Sequence, residues 1–234
     1  MQKDEIIRYV DMTIEEGMNL QRGMNFNVMN KEYHIILMSV RKNAPYADEW
    51  LLDENTIIYE GHDIQKNHNK SSLPANLVDQ PMYTPSGGLT ENGKFFKAAL
   101  EYRDEHKAAH IVKVYEKLQD GIWVYNGYFY LVDAWIEQKK RKVFKFKLVM
   151  SDIENGEKVL DLSTLELEHN RLIPTSVKAL VFARDNGCCV KCGSNKNLHY
   201  DHILPFSKGG SSKDPNNIQL LCQKCNLAKH DKIE

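Results

Sequence analysis

Two Cys-x-x-Cys pairs constrain this chain more than anything else in it: Cys189/Cys192 and Cys222/Cys225. Each pair offers two thiolates to one face of an ion, and two pairs close a tetrahedral four-sulfur shell. That is the usual arrangement for structural zinc. The spacer, residues 193–221, is longer than in a simple zinc ribbon and has room for a further element. It carries Tyr200-Asp201-His202. All five cysteines lie in the last 50 residues, which argues for metal in a reducing cytoplasm rather than for disulfides. Cys188 is a spare thiol beside Cys189 and reads as a partly buried free cysteine. A register shift to it would spoil the two-residue spacing.

The residues around the knuckles suit one kind of chemistry. Phosphodiester hydrolysis needs a water nucleophile, a base of near-neutral pKa and a cation on the scissile phosphate. A histidine supplies such a base. The stretch from Arg171 to Lys232 resembles the HNH nuclease family in its four-cysteine zinc form. The resemblance rests on the two knuckles, Asp201-His202 on an expected strand, the run Asp214-Pro215-Asn216-Asn217-Ile218-Gln219-Leu220-Leu221, and Cys225-Asn226-x-x-Lys229-His230. It implies a two-stranded hairpin and a helix gripping one divalent cation. His202 would be the general base, and Asn217 would tie down the loop that orients it. Asp201 and Asn226 would hold the catalytic metal, Mg2+ or a similar ion. Asn226 stands where the family usually has histidine, and an amide oxygen suits Mg2+. His230, four residues on, shares a helix face with Asn226 and is a second candidate ligand. The alternative is a zinc-stapled DNA-binding module in which Asp201 and His202 are structural.

Composition bounds the rest. The chain has 234 residues, enough for two modest domains, with 42% hydrophobic and 27% charged residues. No apolar run reaches the ~18 residues of a membrane span. The N-terminus lacks the apolar core of a secretory signal, so a cytoplasmic location is expected. Net charge is −1. From Arg171 onward ten Lys/Arg face five Asp/Glu, a balance of +5, which leaves −6 for the residues before it. A basic nuclease tail on an acidic front half suits DNA, the front half binding by shape more than by bulk charge.

Taken in order, residues 4–17 space Ile6, Ile7, Val10 and Ile14 as in a helix, with Gly17 as its stop. The run 34–40 reads as a buried strand, 41–48 as a loop and 55–59 as a strand. Residues 62–93 are polar and form a long surface excursion carrying Lys66, His68 and Lys70. A helix is expected over 92–105, with Phe95, Phe96, Ala99 and Tyr102 on one face. Strands follow at 109–117, 125–135 and 142–149, the last alternating Phe144, Phe146 and Leu148 with Lys145 and Lys147. Trp123, Tyr125, Tyr128, Phe129 and Tyr130 read as core of a strand pair, and 139–142 as a basic hairpin tip suited to phosphates. A helix over 174–186 opens the last domain, capped by Gly187. The expected class is α+β: domain 1–150, linker 151–170, and domain 171–234.

The front half carries a second resemblance. Tyr59-Glu60-Gly61, Asp79-Gln80, the helix around Ala98-Ala99-Leu100, Val112-Lys113-Val114, Tyr125-Asn126-Gly127-Tyr128, Val132-x-x-Trp135 and Phe144-Lys-Phe146-Lys-Leu148 stand in the order of the SRA domain. The chain departs from that pattern with Lys113 for arginine and Asn126 for aspartate. The resemblance implies a curved β-sheet or barrel with flanking helices that flips a modified cytosine into a pocket. An extruded cytosine needs flat walls and an acceptor for its N4 amine. Tyr46 and Tyr59 are the candidate walls and Asp48 the acceptor, with Glu49 and Trp50 as rivals. Gly61-His62-Asp63 reads as a turn with a solvated aspartate. Together these features point to a modification-dependent, type IV-like restriction endonuclease acting on double-stranded DNA with 5-methylcytosine or 5-hydroxymethylcytosine. One such nuclease site cuts one strand, so a homodimer is expected. The alternatives are a nuclease reading unmodified sequence or another modification, and a non-catalytic reader.

Overall fold

A computed structural model describes residues 1–51, 55–65, 69, 71–151 and 172–229. The expected linker lies outside them except for Ser151. In chain order the elements are β1 (Glu5–Arg8), α1 (Tyr9–Glu16), β2 (Met24–Asn25), β3 (His34–Met38), β4 (Glu49–Trp50), β5 (Thr56–Glu60), α2 (Glu91–Glu105), β6 (His110–Gln119), β7 (Ile122–Gln138), β8 (Lys142–Met150), α3 (Thr175–Arg184), β9 (Leu198–His202), β10 (Ile218–Cys222) and α4 (Gln223–Lys229). The α+β class holds.

The chain forms two compact units that are not consecutive in sequence. The central unit comprises Glu16–Tyr115 and Tyr128–Ser151. The C-terminal unit combines Met1–Glu15, Glu116–Gly127 and the described residues 172–229. The long strands β6 and β7 therefore run from one unit into the other, which a division at residue 150 does not express.

The central unit is a sheet ordered β4-β5-β8-β7-β6-β3-β2, with α2 packed on β8. A bulge between Leu131 and Asp133 breaks the β7–β8 register, and bulges increase local bending and twist. Its core includes Ile36, Ile57, Phe95, Val112, Phe129 and Phe146. The alternation in β8 suggests outward lysines, but Lys145 is buried beside Phe144 and Phe146. Its ammonium donates to Glu60 Oε2 (3.0 Å) and to the Ala47 carbonyl (2.9 Å). Glu16 is another buried charge. It accepts from Lys113 Nζ (2.6 Å), from Tyr33 (2.8 Å) and from Tyr115. The Lys113 ammonium also lies 5.4 Å from the Tyr33 ring centroid, so it is met by a carboxylate and a π-face together.

The C-terminal unit holds the clearest departure from local pattern. Ile6 and Ile7 do not begin a helix. They lie in β1, between β7 (Ile6↔Val124, Ile7↔Trp123) and β9 (Ile6↔Leu198). β-Branched side chains suit this position, and pairing on both edges overrides the helical spacing. The helix starts at Tyr9 and stops before Gly17, whose φ is 65°. α3 ends at Arg184, and the turn beyond it uses left-handed Asn186 and Gly187. Buried Lys178 on α3 donates to Asn126 Oδ1 (2.8 Å) and pairs with Asp4 Oδ1 (2.7 Å), joining α3, β7 and the entry to β1. The core includes Val181, Leu198, Tyr200, Ile218 and Leu220.

Candidate active site

The four knuckle cysteines converge. The sulfur atoms of Cys189, Cys192, Cys222 and Cys225 all lie within 4.8 Å of one another. Local structure explains why. Gly193, at φ 73°, turns the first knuckle so that its N–H reaches the Cys189 carbonyl (2.8 Å). Cys222 ends β10 and Cys225 sits in the first turn of α4. Burial pushes the Cys189 thiol up, but backbone N–H groups of Cys222, Cys192 and Lys191 more than offset this and bring it down to about 6. Donating its S–H to Cys222 pushes the Cys225 thiol up to about 12. Cys189 thus takes negative charge readily, while Cys192 and Cys225 resist it until a cation shares the shell. Four soft sulfurs at this spacing fit zinc.

Beside the knuckles stands the hairpin and helix. β9 pairs antiparallel with β10, with His202 opposite Ile218 and Asp201 opposite Gln219. α4 follows directly. Asp201 and His202 end β9, and half-buried Asn226 lies on α4. The His202 ring meets Ser212 through Nε2 (2.9 Å), and the Phe206 ring stands edge-on to it, 6.3 Å between centroids. Asn217 fastens the connecting loop at three points. Its Oδ1 accepts from Leu204 N (2.8 Å), and its Nδ2 donates to the carbonyls of Leu204 (3.2 Å) and Ser211 (3.0 Å). Gly210 is required there, because a Cβ would sit 1.8 Å from the Leu204 carbonyl oxygen. His230 lies outside the described residues.

Sequence reasoning missed two neighbours of this cluster. Ser212 is buried and supplies the hydroxyl that faces His202. Lys229 is 1% exposed; its ammonium donates to the His202 carbonyl (2.7 Å) and pairs with Asp201 Oδ2 (3.1 Å). Lysines on a short helix read as solvated, so only three-dimensional placement reveals this one.

In the central unit, Tyr46, Asp48 and Tyr59 are placed differently from one another. Tyr59 is 1% exposed and belongs to the core; its hydroxyl reaches His62 Nε2 (3.3 Å). The ring stacked on Tyr46 is that of His62, at 5.9 Å and 22°. The Asp48 carboxylate accepts from the backbone N–H groups of Ser39 and Glu60, both at 3.0 Å. Burial pushes it up to about 7 despite those bonds. Burial, with the nearby charge of Arg22, lowers His62 to about 4, so its ring is neutral at physiological pH. A cavity of about 410 Å³ opens by Asp48, lined also by Glu49, Trp135 and Lys145. Another of about 400 Å³ opens by His62, with Arg22, Tyr83 and Lys94.

The expected turn Gly61-His62-Asp63 is in fact tightly held. Asn92 exchanges hydrogen bonds with the backbone of His62, and Gln80 bridges the Gly61 carbonyl and the Phe144 N–H. A Cβ on Gly61 would meet Asn92 Oδ1 at 2.6 Å. Asp63 is not solvated, because Arg141 Nη1 donates to it (2.6 Å). Arg141 is thereby withdrawn from the basic hairpin tip. Glu49 is exposed, and half-buried Trp50 packs against the core. Lys66, His68 and Lys70 lie outside the described residues.

Residues 189–232 match the family model for HNH endonuclease. That segment holds both knuckles, the hairpin and the helix, and it identifies this part of the chain as an HNH endonuclease domain, making the protein a DNA nuclease. The SUVH5 SRA domain in complex with hemi-methylated CG DNA is similar at 20% identity and a TM-score of 0.44, over 67% of this chain and 91% of that one. KRYPTONITE in complex with mCHH DNA, an H3 peptide and SAH is similar at 16% identity and a TM-score of 0.44, over 70% and 34%. The type IV phosphorothioation-dependent restriction endonuclease ScoMcrA is similar at 14% identity and a TM-score of 0.43, over 99% of this chain and 53% of that one. No curated protein matches. Among the described residues no helix is long and apolar enough to cross a membrane.

Proposed function

We propose that this chain is a modification-dependent DNA endonuclease. The central unit reads a modified cytosine flipped from the duplex, and the HNH domain hydrolyses a phosphodiester nearby. The observation that carries the nuclease half is the gathering of Asp201, His202, Asn217 and Asn226 on one hairpin and helix. His202 is the general base, positioned by Ser212 and by the loop that Asn217 fastens. Asp201 and Asn226 offer hard oxygen donors that fit Mg2+. A divalent ion bound there stabilises charge on the scissile phosphate and the leaving oxygen.

The reading half rests on Tyr46 and His62, two nearly parallel rings, and on the buried carboxyl of Asp48, which lines a cavity of its own. A base between them needs two contacts of about 3.5 Å each. Their centroids stand 5.9 Å apart, so the rings must part by about 1 Å or more to admit it. Tyr59 backs His62 through its hydroxyl rather than forming a wall. Asp48 supplies the acceptor for a cytosine N4 amine, a donor that thymine lacks. Cutting of both strands requires two chains, which sedimentation with specific DNA would detect.

The test uses one plasmid prepared unmodified, with 5-methylcytosine and with 5-hydroxymethylcytosine. It is incubated in Mg2+ with wild type and with His202→Ala. Cleavage confined to modified DNA and abolished by the substitution is expected. Cleavage of all three would retain the nuclease and reject the modified-base pocket. Cleavage of none, with binding intact, would favour a reader without catalysis.

A further inference from the structure

The buried lysine of the nuclease domain carries an inference of its own. Lys229 Nζ lies 3.1 Å from Asp201 Oδ2, and Gln219 Nε2 donates to that same oxygen at 3.0 Å. Among the described residues Oδ1 has no such partner. The same ammonium holds the His202 carbonyl at 2.7 Å. Lys229 also lies three residues after Asn226 on α4, on the same helix face. A single fixed cation therefore touches the strand of the base and one oxygen of the adjacent carboxylate, and shares a helix face with the other candidate ligand.

We propose that Lys229 is a positioning residue that makes Asp201 a one-oxygen ligand. This rests on the reading of Asp201 as a metal ligand. With Oδ2 occupied by an ammonium and an amide, only Oδ1 is offered to an ion. That suits Mg2+, which is small, strictly octahedral and held through few protein oxygens. It disfavours Ca2+, which takes six to eight oxygens and often binds a carboxylate through both. The charge on Lys229 also opposes tight cation binding. It trades affinity for a defined geometry next to His202.

The experiment compares wild type, Lys229→Met and Lys229→Gln, zinc-loaded and checked for an unchanged melting temperature. Lys229→Gln keeps a neutral donor should the apolar variant fail to fold. Ca2+ and Mg2+ binding are measured by calorimetry without DNA, and cleavage is measured in saturating Mg2+. Both variants should bind Ca2+ several-fold more tightly, with a smaller change for Mg2+. Cleavage should fall ~10–100-fold, the usual effect of removing a hydrogen-bond partner of a metal ligand, while DNA affinity stays unchanged. A merely structural lysine would leave the Ca2+ preference as in wild type, and that result overturns the proposal. Asp201→Ala, which removes both side-chain oxygens, separates the two levels. If it leaves ion binding intact, Asp201 is no ligand and both readings fall. If it abolishes binding while the Lys229 variants match wild type, only the role of Lys229 is rejected.

Discussion

Replacing Asn217 by alanine removes three hydrogen bonds that close the loop between β9 and β10, at 2.8, 3.0 and 3.2 Å. A net contribution of about 1 kcal/mol each gives about 3 kcal/mol for the set. Asn217 is half-buried, so water recovers part of this. A loss of about 1.5–3 kcal/mol corresponds to ~10–150-fold in the population of the fastened loop. That loop carries Ser212, the partner of His202 Nε2. The expected result is a fall in single-turnover cleavage of that size, with DNA affinity and zinc content unchanged. Asn217→Asp should do no better than alanine. It keeps an acceptor for Leu204 N–H but turns an anion toward two carbonyls. Single-turnover cleavage on modified DNA, with anisotropy for binding, reads both outcomes. A variant cutting at the wild-type rate would refute the claim that Asn217 holds the base in place.

Three further expectations follow from the geometry. Stripping zinc with a chelator should abolish cleavage, and Mg2+ alone should not restore it, because a four-cysteine zinc shell contributes ~10–16 kcal/mol to folding; zinc and Mg2+ together should. Asp48 titrates near 7 when folded and near 3.9 when unfolded, so between those values the unfolded chain holds fewer protons. Stability of the central unit should therefore fall as pH rises from about 4 to 7, and Asp48→Asn should flatten that slope in urea titrations. Among the described residues, Lys145→Met leaves Glu60 with Arg141 at 3.6 Å as its remaining ion-pair partner. It should cost about 3–5 kcal/mol in denaturant unfolding, and an unchanged midpoint would show that Glu60 does not depend on Lys145.

Legibility followed the range of the interactions. The convergence of the four knuckle cysteines was legible because ligand spacing is a local property, and the strand that ends in Asp201-His202 and the asparagine that fastens the loop belong to the same motif. The strands at 34–38, 56–60 and 142–150 were legible because β-branched and aromatic runs mark buried sheet. What escaped was set by distant partners. Ile6 and Ile7 have helical spacing, and only the edges of β7 and β9 make them a strand. Lys145 and Lys229 look solvated, yet each is buried against a carboxylate far away in sequence. His62 read as part of a turn, and its stacking on Tyr46 depends on a backbone held by Asn92, 30 residues away.

The placement of β1 has a practical consequence for anyone wishing to transplant the nuclease. Its strand β9 is zipped to the first residues of the chain through Glu5↔His199 and Ile6↔Leu198, and Asp4 neutralises a lysine on α3. A fragment beginning at Arg171 would leave β9 with a bare hydrogen-bonding edge and Lys178 short of its carboxylate, inviting aggregation. The cutting module is therefore not a cassette detachable at one joint. A working graft would have to carry Met1–Glu15 and the hairpin Glu116–Gly127 with it, so new specificities are better sought by rebuilding the central unit in place than by swapping tails.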